Sequence, residues 1–544
     1  MLTLTANSLS DRSHWEQVGV RLPAFDRKAM IEATLTSPTW LHFGAGNIFR
    51  GFVARIGQDL LNKGLSTSGI IAVDSFDYEI IEKIYRPFDH LTLMADLSSD
   101  GNIGYEIIGS VADAICADVS DALQWQKLKE IFCSPSLQVV SFTVTEKGYS
   151  LQGLSGELLP IVERDIFEGP EHACHLMSVV TALLLERYHA GAVPIAMSSM
   201  DNCSHNGDKL RDSVVAIASA WVSRGFAGEG FLNYLRDPDQ VSFPWSMIDK
   251  ITPRPADEVT RRLTAMGIAN MSPITTSKGT YIAPFVNAEI PQYLVLEDAF
   301  PNGRPPFEKA SVYLADRDTV NRTERMKVTT CLNPLHTALA VFGCVLGYTR
   351  ISDEMKDPDL VSLVYAIGNE GLPVVTDPKI MDPREFLREV LEERFPNPFI
   401  PDMPQRIATD TSLKLPIRYG ETIKSYLADD ILDAADLTYI PLAIAGWFRY
   451  LVGTDDEGEP MEVSPDPQLP MLRQALSNVR VGDPGSRGEV LFAILRNESL
   501  FGTDLVAAGL ATKIDAMFGR MLEGNGAVRR ILHELCHPAE NVPA

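Results

Sequence analysis

The chain has little positive charge, few cysteines and no long hydrophobic run, and each shortage excludes a class of protein. Lysine and arginine number 48 against 72 aspartates and glutamates, which gives a net charge of −24. Nucleic acids and anionic membranes bind proteins mainly through basic side chains, so we expect neither as a partner. The seven cysteines are odd in number and scattered, which fits reduced thiols better than a disulfide framework.

Targeting and membrane signals are also lacking. Residues 1–17 contain neither a basic region nor an apolar core of signal-peptide length. The apolar segment at residues 439–452 is short and contains Arg449, so we predict a buried helix there and not a membrane span. We expect a cytoplasmic protein that is a monomer or a small homo-oligomer.

The order of sequence patterns predicts an α/β fold with two domains, residues 1–300 and 301–544. Strand-like segments at residues 40–43, 70–73, 139–144 and 193–197 alternate with helix-like segments, which favours a parallel sheet with crossover helices. Helical patterns dominate from Ala256 onward. An irregular stretch, Val286 to Pro306, is interpreted as the connection between domains because it contains Gly303, Pro305 and Pro306.

Gly44 and Gly46 follow the first predicted strand and precede a helix, as in a shortened dinucleotide-binding motif. Phe49 occupies the place of the third glycine, so an ordinary strand-helix turn remains an alternative. Asp74 ends the second strand, where a carboxylate can bind the adenosine ribose and would repel the 2′-phosphate of NADP. Polar groups following three strands, at residues 74, 145–149 and 198–202, are expected to converge on one crevice.

Lys327, Asn333 and His336 interrupt an otherwise apolar helical segment. Polar side chains in such a position need partners, and a lysine held out of water becomes a better proton acceptor near neutral pH. The alternative is structural, with the lysine reaching solvent and the histidine satisfied within the core.

Several motifs in one consistent order resemble the polyol-specific long-chain dehydrogenases, the mannitol dehydrogenase family. They are His42 to Arg50, Thr143 to Tyr149, Asp201-Asn202, Met247 to Pro253, Glu297-Asp298 with Asn302 to Pro305, and Lys327…Asn333…His336. The resemblance implies a Rossmann-type N-terminal domain, a mostly α-helical C-terminal domain and metal-independent hydride transfer with NAD.

The resemblance also implies roles for individual residues. Lys327 would be the general acid/base, Asn202 and Asn333 would hydrogen-bond the reacting oxygen, and His336 would orient the substrate or the lysine. Asp249, Arg406 and Lys414 would contact the substrate. The residues expected to bind NAD are Gly44, Gly46, Asn47, Ile48, Phe49, Arg50, Asp74, Thr145 and Glu146.

The spacing of the lysine motif departs from the family pattern. Five residues separate Lys327 from Asn333, whereas the family commonly has four. A helix can absorb one extra residue as a π-bulge, and Pro334 removes a backbone donor nearby. We therefore predict a bulge between Lys327 and Asn333.

Arg406, Lys414 and Arg418 cluster in sequence and favour a hydroxylated acid as substrate, since arginine can bind a carboxylate through two parallel hydrogen bonds. The leading hypothesis is interconversion of D-mannonate and D-fructuronate. Alternatives are a tagaturonate reductase and a mannitol- or arabinitol-type 2-dehydrogenase, in which these cations would bind hydroxyl groups or neighbouring acids such as Asp410. A noncatalytic dinucleotide-binding protein is a remote alternative.

His533-Glu534-Leu535-Cys536-His537 matches the H-E-x-x-H zinc motif. Only seven residues follow it, so a third ligand would have to come from earlier in the chain, and Pro538 is expected to end the helix. We therefore expect an ordinary C-terminal helix and no metal site.

Overall fold

The computed structural model describes residues 1–153 and 155–537 and contains two compact units. The first unit comprises Met1–Ser98 and Asn102–Asn321, and the second begins at Arg322 and also includes Ser99–Gly101. Pro538, expected to end the last helix, lies outside the described residues.

The strands are β1 (Val20–Arg21), β2 (Trp40–Phe43), β3 (Ile70–Asp74), β4 (Thr92–Leu97), β5 (Ile103–Ile108), β6 (Val111–Cys116), β7 (Val139–Phe142), β8 (Ile195–Ser199), β9 (Val241–Ser242), β10 (Ser246–Asp249), β11 (Ile274–Thr275), β12 (Tyr281–Ile282), β13 (Phe285–Glu289), β14 (Tyr293–Glu297) and β15 (Tyr313–Ala315).

The helices are α1 (Arg12–Gln17), α2 (Arg27–Thr36), α3 (Ala54–Asn62), α4 (Tyr78–Ile80), α5 (Ala122–Cys133), α6 (Glu146–Tyr149), α7 (Pro160–Glu168), α8 (Leu176–His189), α9 (Asn206–Ser223), α10 (Glu229–Arg236), α11 (Asp257–Ala265), α12 (Arg317–Met326), α13 (Asn333–Val345), α14 (Ile351–Glu354), α15 (Pro358–Gly371), α16 (Pro383–Glu389), α17 (Pro404–Ile407), α18 (Thr411–Leu415), α19 (Glu421–Ala428), α20 (Tyr439–Leu451), α21 (Leu469–Ala475), α22 (Val490–Leu495), α23 (Glu498–Phe501), α24 (Ala511–Met521) and α25 (Ala527–Cys536).

A six-stranded parallel sheet organises the first unit. Its order is β6-β3-β2-β7-β8-β9, which is 3-2-1-4-5-6 when its strands are numbered along the chain, the order of the Rossmann fold. Side chains alternate between the two faces, so Leu41 and Phe43 pack in one apolar core while Trp40 packs in the other. The four predicted strands and the Rossmann-type fold are confirmed.

The stretch Val286 to Pro306 is not an irregular connection, and that prediction was wrong. It contains most of β13 and all of β14, which pair with β4 and β10 within the first unit. Five strands also lie between residues 274 and 315, where helices were expected to dominate. Because β15 pairs with β14, the first unit continues to Asn321, beyond the boundary predicted after residue 300.

The second unit is built from helices, as predicted. Its α20 is buried on nearly every side, and its last two helices are α24 and α25. Gly524 and Gly526 have φ of 132° and 71°, which ends the helical path between them. One helical segment, Arg317–Val345, could span a membrane by length and composition, but 83% of its most apolar window is buried, so it is weak support for a span.

The turn from β2 into the following helix predicts opposite outcomes for two glycines. A Cβ at Gly44 would lie 2.2 Å from the Thr143 carbonyl oxygen, and Gly44 has φ +101°, whereas a Cβ at Gly46 meets nothing within 4 Å. Gly44→Ala should therefore lower the free energy of unfolding by about 2–4 kcal/mol. Gly46→Ala should change it by less than about 0.5 kcal/mol. Urea unfolding of both variants checks this, and equal stability of the two would contradict the geometry.

Candidate functional site

A cavity of 670 Å³ lies at the carboxyl end of the parallel sheet in the first unit. Gly44, Gly46, Asp74 and Thr145 line it, so the structure brings these four predicted residues together. The strands β2 and β7, which flank the point where the strand order reverses, both end here. In open α/β sheets this position is the usual ligand crevice.

The buried His42 hydrogen-bonds a residue that lines this cavity. Its Nδ1 lies 2.7 Å from the Ser141 hydroxyl and its Nε2 lies 2.8 Å from the hydroxyl of Thr143, a cavity-lining residue. Burial lowers the pKa of His42 to about 3. The imidazole is therefore neutral at physiological pH and fixes the two hydroxyl groups through hydrogen bonds alone.

Two aspartates stand beside the glycine turn. The Asp74 carboxylate accepts hydrogen bonds from the backbone amides of Phe76 and Asp77 at 2.9 and 2.8 Å, and from Ala45 at 3.3 Å. Burial raises the pKa of Asp74 above its ordinary value. Asp77 also lines the cavity; its Oδ2 accepts from Thr276, while its buried Oδ1 has no partner among the described residues. Asp77 is therefore a cavity-lining carboxylate that sequence reasoning missed.

The loop after β7 is held in a strained conformation. Thr145 has φ 65° and ψ 160°, a region that residues other than glycine rarely occupy, at a cost of about 1–3 kcal/mol. The Asp201 carboxylate accepts hydrogen bonds from the backbone amides of Val144 and Thr145 at 2.8 and 2.9 Å, and from the Tyr149 hydroxyl at 2.6 Å. These three bonds fix the loop and explain the placement of Asp201 at the end of β8.

The remaining residues expected to bind NAD occupy different environments. Phe49 stacks on His42 with ring centroids 4.3 Å apart, and Arg50 is buried with its Nε donating to Thr92 at 3.2 Å. Both lie in a π-helical segment, Phe49–Val53. The two Nη atoms of Arg50 are buried and have no hydrogen-bond partner within the described part of the chain. Burial lowers the pKa of Arg50 to about 10.

Four further predicted residues of the first unit do not line this cavity. Asn47 and Ile48 begin the helical turn and are half-buried, and Asn47 has a buried Oδ1 without a hydrogen-bond partner in the described residues. Glu146 is exposed and forms an ion pair with Lys209. Asn202, which follows β8, is exposed. The roles expected for these four residues stay predictions.

Asp249 ends β10, opposite Tyr293 of β14, and its side chain is buried. Its register places it on a sheet separate from the six-stranded one. The expected contact with substrate stays a prediction.

Lys327 opens a π-helical segment, Lys327–Cys331, in the second unit, which confirms the predicted bulge. The backbone amide of Leu332 donates to the Lys327 carbonyl at 3.1 Å, the i to i+5 bond of a π-turn. Lys327 is 4% exposed. Leu332, with φ −134° and ψ −61°, separates this π-helical segment from α13, which begins at Asn333.

His336 lies between an aromatic ring and a carboxylate. Its ring stacks on Phe395 at 5.2 Å, and its Nε2 is 3.3 Å from Asp402 Oδ2, although not aligned as a hydrogen bond. Arg406 forms an ion pair with the other oxygen of Asp402. Burial lowers the pKa of His336. Asp402 thus links two predicted residues, and it was missed although it precedes Arg406 by one helical turn.

Lys414 and Arg418 carry positive charge without a carboxylate partner. Lys414 donates to the backbone carbonyls of Ile407 and Thr409 at 2.9 and 2.5 Å. Arg418 donates to the Thr337 hydroxyl at 2.5 Å and to the Asn333 carbonyl at 3.3 Å. Within the described residues neither cation has a carboxylate within 4.0 Å. Burial and the charge of Arg418 lower the pKa of Lys414 to about 8.

Arg418 connects this positive region to the helix that begins at Asn333. Its bonds reach the first turn of α13, on which Asn333 and His336 lie. Burial lowers the pKa of Arg418 to about 10, so it is charged at neutral pH. The second unit therefore combines a buried lysine, an amide, an imidazole and two cations without acidic partners.

Comparison with known proteins gives matches along most of the chain. The Mannitol dehydrogenase Rossmann domain matches residues 38–309, and the Mannitol dehydrogenase C-terminal domain matches residues 319–521. D-mannonate oxidoreductase from Thermotoga maritima is 51% identical over 536 residues, covering 98% of this chain and 99% of its own. Mannitol 2-dehydrogenase from Neosartorya fischeri is 28% identical, covering 93% of each chain.

Solved structures agree with the fold. The complex of Pseudomonas fluorescens mannitol 2-dehydrogenase with NAD and D-mannitol has a TM-score of 0.67 and 26% identity, covering 98% of this chain and 99% of its own. A substrate-free D-sorbitol dehydrogenase has a TM-score of 0.77 at 24% identity, covering 94% and 97%, and supports the fold alone. From the two domain matches and the full-length relative, the chain belongs to the mannitol dehydrogenase family.

Proposed function

We propose that this protein is an NAD-dependent oxidoreductase that interconverts D-mannonate and D-fructuronate. The family acts on secondary alcohols of polyols and sugar acids, and the 51% identical relative is named D-mannonate oxidoreductase. The structural observation that carries the choice of a sugar acid is the pair Lys414 and Arg418. In a chain with net charge −24, two half-buried cations without a carboxylate partner among the described residues favour an anionic ligand.

The cavity of the first unit fits a dinucleotide. Because Gly46 has no side chain, a ligand can approach its backbone closely, and Asp74 and Asp77 place carboxylates beside the same cavity. Asp74 would repel a 2′-phosphate. Bound in this cavity, the cofactor would supply the hydride chemistry: a hydride would pass from the alcohol carbon to NAD⁺, or from NADH to the ketone carbon.

Lys327 moves the proton that accompanies this transfer. In the neutral form its Nζ takes the proton from the substrate hydroxyl, and in the ammonium form it returns a proton to the ketone oxygen. Asn333 donates a hydrogen bond to the same oxygen, which stabilises the negative charge that develops there. His336, held beside Asp402 and Phe395, orients the substrate hydroxyl groups.

A neutral-polyol dehydrogenase is the second candidate, because Arg406 already pairs with Asp402 and is less available to a substrate carboxylate. In that enzyme Lys414 and Arg418 would donate to sugar hydroxyl groups. Tagaturonate reductase is the alternative within the sugar acids, since the same cations would bind its carboxylate. The substrates themselves therefore separate these functions.

We expect purified, chelator-treated protein to oxidise NADH with D-fructuronate faster than with D-tagaturonate or D-fructose. Lys327→Ala should lower kcat by roughly 10²–10⁴-fold because the proton donor is lost. The measurement is NADH absorbance under steady-state conditions. Preference for fructose would move the protein to the polyol dehydrogenases, and no turnover of any of the three would overturn the proposal.

Two controls separate loss of chemistry from loss of structure. Lys356→Ala removes an exposed lysine of the second unit and should leave kcat unchanged. Small primary amines added to Lys327→Ala should restore part of the rate if the missing group is a proton carrier. NADH binding measured by fluorescence should be the same in both variants.

The lowered pKa of Lys414 predicts a pH dependence of substrate binding. Lys414 is charged below its pKa of about 8 and loses its charge as the pH rises, so its attraction for a carboxylate is lost above pH 8. Between pH 7 and pH 9, kcat/KM for D-fructuronate should fall roughly tenfold from this group alone. Steady-state rates across this range provide the measurement.

Lys414→Arg is the matched control, since arginine stays charged throughout this range. Its kcat/KM for D-fructuronate should lack the component of the fall that belongs to Lys414. An identical pH profile in wild type and Lys414→Arg would show that Lys414 does not bind the carboxylate.

A further inference from the structure

The C-terminal helix places two histidines against an aspartate from another helix of the same unit. His533 lies on α25 and His537 follows its last turn, four residues later. His533 Nδ1 is 3.0 Å and His537 Nε2 is 3.1 Å from the same oxygen, Oδ1 of Asp359 on α15. The third group, Asp359, thus comes from earlier in the chain.

The three ligand atoms fit the dimensions of a small divalent cation. All lie within 4.8 Å of one another. Zinc binds histidine nitrogen and carboxylate oxygen at about 2.0–2.2 Å, so the ligand atoms of a tetrahedral site are about 3.3 Å apart. A modest separation of the present contacts would admit the ion, with water as the fourth ligand.

The surroundings are accessible and close to neutral in charge. A pocket of 660 Å³ is lined by Asp359, Arg529, Arg530, His533 and Glu534, and the His533 side chain is 52% exposed. Arg529 pairs with the second oxygen of Asp359 and with Asp357, so two carboxylates stand against its one charge. Asp359 Oδ2 is thus fixed by Arg529, while Oδ1 contacts the two histidines.

The glutamate of the motif is directed elsewhere. Glu534, which would be the general base of a zinc hydrolase, forms a bidentate ion pair with Arg520. The arrangement therefore matches a binding or structural site and not a hydrolytic one.

We propose that Asp359, His533 and His537 form a site for a divalent cation of the zinc class, which fastens α25 to the first turn of α15. Imidazole and carboxylate ligands suit zinc or cobalt, whereas calcium and magnesium prefer oxygen ligands alone. The site supplies no step of the proposed oxidoreductase reaction. Occupancy stabilises the folded second unit, because the three ligands converge only after α15 and α25 have packed.

The test uses full-length, tag-free protein stripped with chelator and titrated with Co²⁺ and, separately, Zn²⁺. We expect one Co²⁺ per chain with the visible absorption of tetrahedral cobalt, displaced by Zn²⁺, and a higher midpoint of thermal unfolding with Zn²⁺. His533→Gln with His537→Gln should weaken binding about 100-fold or more, since glutamine keeps a hydrogen-bond donor but is a poor zinc ligand.

The double variant His172→Gln with His189→Gln is the matched control, because it removes two exposed histidines outside the cluster. It should bind cobalt as wild type does. Asp359→Asn provides a second variant if the glutamine variant unfolds, and X-ray absorption of the zinc form should count two imidazoles. Absence of stoichiometric binding, or equal binding in wild type and the glutamine variant, would overturn the site.

Discussion

A buried cation needs hydrogen-bond acceptors, and in this acidic protein the acceptors are largely backbone carbonyl groups. Arg187 in the first unit donates to five carbonyl oxygens, and Arg449 in the second unit donates to three. Lys414 follows the same rule. A carbonyl satisfies the N–H group but leaves the formal charge uncancelled. Positive potential can therefore persist at Lys414 and Arg418 in a chain with net charge −24.

Irregular helices carry several residues of the predicted and proposed sites. Lys327, Arg50 and Arg418 each lie in a π-helical segment. A π-turn widens the helix locally and returns to the ordinary path, so an added residue is absorbed without rotating the flanking turns. The distance along the sequence between Lys327 and Asn333 can thus differ from the family pattern while the faces of both helical parts are retained.

Sequence reasoning succeeded where a local rule decides the structure. Short apolar runs identified the strands that end at Phe43 and Asp74, and the residue count predicted the bulge after Lys327. It failed for β14, because Gly303, Pro305 and Pro306 after the strand led to the whole stretch being interpreted as irregular, although the strand itself contains buried apolar residues. Asp402 and Asp77 escaped because their partners are set by tertiary packing. The sequence indicated only that positive charge recognises the substrate. The carbonyl partners of Lys414 could not be predicted, because they depend on the folded backbone.

The strained backbone of Thr145 couples folding of the first unit to the shape of its cavity. Because three hydrogen bonds to Asp201 hold this loop, the conformational entropy of the loop is lost during folding and not during ligand association. This part of the cavity wall is preorganised, so a ligand that contacts it does not have to order the loop on binding. Loss of the Asp201 carboxylate would therefore change the stability of the loop and the shape of the cavity together.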